Sequence, residues 1–204
     1  METFVSAELH EKVRLNSFGE RNHTLILNAN YFILNNTQIK LADITQIKFG
    51  VNSVQFGMFP LGNRYHLSLK TAGQEFNLVL HSYWGIRNNY LVNLYEKLVN
   101  GIWLRIGERL TDDAINCLKA NNSFVVGPCT VSRSGIKLQQ KSAFSVNAEL
   151  ITWNDLFYEV KYDRLVINSK KDSRLWLNLY FLEYWNTEVL REVLEWLFTE
   201  NGLT

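Results

Sequence analysis

Disulfide, metal and catalytic signatures are what this sequence most plainly lacks. Its two cysteines, Cys117 and Cys129, are too few for a disulfide framework, and their settings, an expected helix and an expected strand, suit reduced packing thiols. No apolar run reaches eighteen residues. The opening METFVSAELHEKVRL carries Glu2, Glu8 and Glu11 and has no apolar core of signal-peptide length, so the expectation is a soluble, cytoplasmic protein. Neither sign of charge dominates: 21 Lys and Arg face 20 Asp and Glu, a formal net charge of +1, and a nucleic-acid partner is not expected. The four histidines, His10, His23, His66 and His81, show no metal-helix spacing and no HExxH context. CxxC pairs, glycine-rich phosphate loops and nucleophile elbows are also missing, so no catalytic residue, metal or cofactor is expected and the chain reads as a non-enzyme.

Apolar residues, by contrast, are abundant, at 47% with six Trp, nine Tyr and twelve Phe, enough to offset the ordering entropy of a real core. The 204 residues suit one large domain or two of about a hundred each. A repeat favours two. YHLSLKTAGQEFNLVL from Tyr65 and RLVINSKKDSRLWLNL from Arg164 each read as a six-residue alternating strand, a four-residue polar turn and a second six-residue strand, 99 positions apart. An aromatic pair follows each, Tyr83-Trp84 and Tyr184-Trp185. Next comes a helix with one apolar stripe: Leu91, Leu94, Tyr95 and Leu98 in the first copy, Leu190, Val193, Leu194 and Leu197 in the second, again 99 apart.

Upstream, LILNANYFI and TVSRSGIKL each place a turn before an apolar strand, with Asn30 and Gly135 where a left-handed residue is expected. IKLADI and ITWNDL align at an offset of 112, setting Asp43 over Asp155. An aspartate at this step predicts a turn or bulge whose carboxylate accepts backbone N–H groups while Ile44 or Leu156 returns to the core. Between the copies, Thr111 is an expected N-cap for a short helix opening with Asp112 and Asp113, which places the division at 1–106 and 107–204. The first twenty residues predict a helix followed by a strand.

Short antiparallel strands closed by one amphipathic helix resemble the pleckstrin-homology-like barrel, in particular its bacterial members and the related GRAM domains. The resemblance rests on SGIKL at Ser134–Leu138, ITWNDL at Ile151–Leu156, the hairpin Arg164–Leu179 and the helix after Trp185. It implies a mainly β, α+β fold class: two tandem antiparallel barrels, each plugged by its C-terminal helix. The first copy departs at Asn30, where the second has glycine, and at Leu41, where the second has Trp153.

Because the offset falls from 112 at Asp43 to 99 at Tyr65, the first copy holds 13 extra residues, in or near VNSVQFGMFPLGNR. Phe56, Met58, Phe59 and Leu61 make this an odd composition for a solvated loop, and they are the candidate interaction residues. They would lengthen a hairpin and pack intramolecularly, contact a protein partner or a second copy, or insert shallowly in a membrane. Phosphoinositide-binding relatives are implied to use clustered Lys and Arg around the loop joining the first two strands. Arg133, Lys137 and Lys141 are the candidate anionic-lipid patch in the second copy, and the first copy offers only Asn28, Ala29 and Asn30. The leading expectation is a non-catalytic scaffold or self-associating module. Anionic-membrane binding and the carriage of a small hydrophobic ligand are the alternatives.

Overall fold

The computed structural model describes residues 8–141 and 146–203 and, within these, the side chains outside 139–148. The chain separates into two compact units, 1–109 and 110–204. Each is mainly β, and all the strand ladders are antiparallel.

In the first unit β1 (Leu9–Val13), β2 (His23–Leu27), β3 (Tyr31–Leu34) and β4 (Thr37–Lys40) form a four-stranded meander. A 3-10 turn over Leu41–Asp43 breaks it. Then β5 (Gln46–Phe56), β6 (Phe59–Lys70) and β7 (Glu75–Tyr83) form a three-stranded meander, and α1 (Asn88–Ile102) follows. The second unit repeats the order with β8 (Phe124–Val126), β9 (Cys129–Ser132), β10 (Gly135–Lys141) and β11 (Val146–Thr152), a 3-10 turn at Trp153–Asp155, β12 (Leu156–Val160), β13 (Arg164–Ser169), β14 (Trp176–Tyr180) and α3 (Thr187–Glu200). Tyr65 and Arg164, 99 positions apart, lie in the corresponding strands β6 and β13.

The aspartate step is the hinge between the two sheets of each unit. Ile44 and Leu156, directly after the 3-10 turns, are fully buried, as the alternation demands once one extra residue is absorbed by the turn. The carboxylate, however, does not bind backbone N–H groups. Asp155 accepts from the Thr152 hydroxyl at 2.8 Å and the Lys171 ammonium at 2.7 Å, while Asp43 is exposed. In the first unit the turn is held from the far end of the chain segment, where Arg109 Nη2 donates to the Ile44 carbonyl at 2.6 Å. Trp153, with its indole N–H on the Arg133 carbonyl at 2.8 Å, fills the buried place that Leu41 fills in the first unit.

Four expectations are corrected. No ladder joins the two sheets of either unit, so no closed barrel is found among the described residues. A single isolated parallel bridge, Asn16 to His81, links the β1 continuation to β7. Asn30 is not left-handed: Asn28 makes the turn instead, its side-chain oxygen accepting from the N–H groups of Asn30 and Tyr31 at 2.9 and 2.8 Å. Thr111 caps nothing, because α2 (Glu108–Lys119) begins three residues earlier, continuing α1 through a π-turn at Trp103–Gly107. The entry helix expected from Val5, Leu9 and Val13 is a strand over its described part: Leu9 and Val13 are buried on β1, since a spacing of four suits either periodicity, and Val5 lies outside the described residues.

The aromatic pairs are not structural counterparts either. Tyr83 and Tyr184 are 101 positions apart, whereas the residues preceding the two helices, Arg87 and Asn186, are 99 apart.

Each helix covers its sheets with the expected stripe. Leu91, Leu94, Leu98 and Ile102 are buried in the first unit with Leu27, Phe32, Ile47, Tyr65, Leu67 and Leu80, while Leu190, Val193, Leu194 and Leu197 are buried in the second. Tyr95 is half-buried and packs on Tyr65, ring centroids 5.3 Å apart. At about 1.5–3 kcal/mol for each fully buried leucine-sized side chain, the stripe secures each helix more than its own propensity does. Cys129 is buried, donates to the Val126 carbonyl at 3.0 Å and has its thiol pushed up to about 12 by burial, whereas Cys117 is only half-buried.

Candidate functional site

The thirteen extra residues of the first copy are not a loop. Their alternation continues the strands, so the hairpin from Gln46 to Lys70 has arms of 11 and 12 residues, against 5 and 6 for β12 and β13. Gly57, at φ +59°, and Met58 form the two-residue turn between Phe56 and Phe59. A bulge lies opposite Val54 and Gln55, where the register skips Leu61. β7 ends at Tyr83, opposite Gly62, so everything beyond Gly62 projects as a two-stranded ribbon without a third strand.

Gly62 is obligatory at that exit. Its φ is +148°, and a Cβ there would lie 1.8 Å from the Ser82 carbonyl oxygen. Beyond it, Phe56, Met58 and Phe59 are 75%, 95% and 73% exposed. Leu61 is half-buried, and its carbonyl accepts the Trp84 N–H at 2.7 Å. That bond brings a second apolar group to the same end of the sheet. Trp84 is 68% exposed and Phe18 62% exposed, with ring centroids 6.2 Å apart. Phe18 and Trp84 were not legible as site residues, because Phe18 sits alone among polar neighbours and Trp84, 66 positions away, reads as half of the aromatic pair before a helix.

The outer face of the same sheet carries His66 on β6 and His81 within β7, not beyond its end, because β7 is longer than the alternation implied. His66 donates from Nε2 to the Asn52 Oδ1 at 2.8 Å, and His81 stacks on Tyr83 with ring centroids 5.8 Å apart. Burial first, then the neighbouring Arg64 guanidinium, hold both imidazoles below their ordinary value. Among the described residues no group of three His, Cys, Asp or Glu side chains is placed to hold a metal ion.

The basic residues of the second copy are placed differently from one another. Arg133, in the turn between β9 and β10, and Lys137, on β10, are both exposed. Arg133 lines a cavity of about 300 Å³ with Leu118, Trp196, Leu197, Glu200 and Asn201, beside α3. The Lys141 side chain lies outside the described ones. The loop joining the first two strands of the first unit is also not the neutral Asn28–Asn30 turn, because β1 precedes it; that loop is 14–22, and it contains Arg14 and Arg21.

No protein-family model, curated protein or solved structure matches the chain. Among the described residues, no helix is long and apolar enough to cross a membrane.

Proposed function

We propose that this protein is a non-catalytic, cytoplasmic contact module of two tandem pleckstrin-homology-like units, the first of which engages protein through the tip of its β5–β6 hairpin, beginning with a second copy of the chain. The reading of the units is supported by their element order: four strands, a 3-10 step, three strands and a terminal amphipathic helix, twice. The observation that carries the contact role is the ribbon. Two strands without a third are marginal in water, and this pair ends in Phe56, Met58 and Phe59, all more than 70% exposed. Phe and Met are enriched at the cores of protein interfaces, and an apolar tip that folds back on nothing gains stability only by burial against a partner.

Light scattering over a range of protein concentrations tests this reading. The wild-type chain is expected to associate with rising concentration, and Phe56→Ser/Met58→Ser/Phe59→Ser to remain monomeric with an unchanged circular dichroism spectrum. Because all three side chains are exposed, the triple substitution should cost less than about 1 kcal/mol of folding stability. Equal molar masses for the two folded proteins at every concentration would remove self-association through the tip.

A further inference from the structure

The end of the sheet that carries the hairpin tip also holds a strained aromatic residue. Trp84 lies at φ +48°, in the left-handed region, which a bulky side chain rarely adopts. Glu183, equally far ahead of its helix in the second unit, is an exposed residue outside that region. Trp84 is kept there by its own N–H on the Leu61 carbonyl at 2.7 Å, and the Ile86 N–H on the Tyr83 carbonyl at 2.9 Å closes the turn. Its neighbour is fixed as firmly. The Phe18 N–H donates to the Asn16 side-chain oxygen at 3.0 Å, and buried Ser17 donates from its hydroxyl to the Ile86 carbonyl at 2.7 Å and accepts from the Tyr83 N–H at 2.9 Å. Phe18 then stacks on Tyr83 and meets Trp84 edge-on, with both centroid separations 6.2 Å.

The folded unit itself gains little from this platform, because both rings remain more than 60% exposed, and a strained backbone beneath an exposed ring points to a role outside the unit. The tip does not cover it. Beyond Gly62, opposite the end of β7, the ladder continues with Gln55 to Pro60 and Phe56 to Phe59, so the tip stands about 7 Å past its own platform. Area decides what the tip can meet. At about 150–250 Å² for each fully buried aromatic, the exposed parts of Phe18, Phe56, Phe59 and Trp84 amount to about 400–700 Å² per copy, near the roughly 800 Å² per partner of a stable interface once Met58 and Ile86 join them. The two rings of the tip alone supply about half of that ring area, too little for tip against tip. A projecting arm beside an uncovered platform is a self-complementary patch, as a twofold contact requires.

We infer that Phe18 and Trp84 receive the hairpin tip of a second copy, each copy laying Phe56, Met58 and Phe59 on the other's platform about a twofold axis. This pairing rests on the self-association proposed for the tip and supplies its receiving surface. Light scattering of the full chain over a range of concentrations is the test, with Phe18→Ser/Trp84→Asn as the platform variant. Asparagine tolerates the left-handed backbone at 84, and circular dichroism checks the fold. The platform variant should self-associate at least about a hundredfold more weakly than the wild type, and Trp84→Asn alone at least about tenfold more weakly, which decides the matter if the double variant does not fold. Mixed in equal amounts, the platform variant and Phe56→Ser/Met58→Ser/Phe59→Ser should regain mass above the monomer at concentrations where each alone is monomeric, because one of the two contacts in the mixed pair is then whole.

Undiminished association of the folded platform variants overturns the pairing and leaves the tip as the contact. A mixture that stays monomeric up to about 1 mM overturns reciprocal docking in favour of tip against tip. An unchanged mass for the tip variant removes the contact role of the tip and the pairing with it. A wild-type chain that is monomeric up to about 1 mM also overturns the pairing, and its retention on vesicles of phosphatidylcholine and phosphatidylserine, lost in the platform variant, would assign the same rings to a membrane surface.

Discussion

The connection between β1 and β2 spans nine residues, 14–22, where the second unit joins β8 to β9 with only Gly127 and Pro128. The hairpin arms differ in the same direction, 11 and 12 residues against 5 and 6. Both expansions of the first unit reach the end of the sheet where β7 passes into α1. The 14–22 connection is tied there through Ser17, and the ribbon through the bond from Trp84 to Leu61. The second unit expands elsewhere, since β10 and β11 have seven residues each where β3 and β4 have four. The expansions of the first unit are gathered at one end of it, and that is where the apolar tip stands. A duplicated fold keeps its core in both copies because the helix stripe and the strand alternation are needed for folding, while connections can lengthen at small entropic cost.

The sharpest way to break the comparison is at two glycines with the same role. Gly62 and Gly135 both have φ near +150°, and a Cβ on Gly135 would fall 2.1 Å from the Ile151 carbonyl oxygen. Alanine at either should cost on the order of 3 kcal/mol or more, read as a large drop in melting temperature. A mild effect at Gly62 alone would mean that the long β5–β6 hairpin relaxes at its glycine where the turn between β9 and β10 cannot. Next in size come the helix stripes. Leu98→Ala and Leu197→Ala, 99 positions apart and both buried, should each cost about 2–5 kcal/mol in urea titrations, and a cost confined to one of them would show that the two helices are not equivalent plugs.

Exchanging the residues before the helices gives a smaller effect of opposite sign in the two copies. Arg87→Asn should stabilise by up to about 1 kcal/mol through relief of left-handed strain, and Asn186→Arg should destabilise by about the same amount. Equal and negligible shifts in melting temperature would dismiss strain at Arg87 as a feature of the first unit.

The smallest effect is one of pH, and it divides the units because all four histidines lie in the first. His66 and His81 titrate below their ordinary 6.5 when folded, so just below that pH the unfolded chain holds more protons. Their stabilising contribution is complete above about 6.5 and declines as the pH falls toward the folded values. In the second unit burial raises Glu188, despite Arg191 at 2.9 Å, so its contribution changes in the opposite sense and is lost as the pH rises. Amide exchange of β6 and β7 should accordingly speed up relative to β13 and β14 between pH 6.5 and about 5.5, once corrected for intrinsic rates. His66→Gln should reduce that difference.

Much of the scaffold was legible because its signals are local. The hairpin Tyr65–Leu80 and the stripe Leu91–Leu98 are periodic patterns that a chain reveals over a dozen residues, and the Asp43 and Asp155 steps were visible as the same interruption twice. Single turns were less legible, since Asn28 rather than Asn30 shapes one, and Thr111 resembles a cap while lying inside a helix. The site was legible only where it is contiguous. Phe56, Met58 and Phe59 stand together in the sequence, whereas Phe18 and Trp84 meet across 66 positions.

The sequence by itself determined the repeated hairpin, the apolar stripe of the helix that follows it in each copy and the place of the extra residues, because alternation and helical spacing depend on near neighbours. Only the tertiary structure decided that those extra residues extend strands past the end of β7, and that among the described residues no ladder closes either pair of sheets. Exposure and charge balance are sums over groups distant in sequence, and only the folded chain brings those groups within reach of one another.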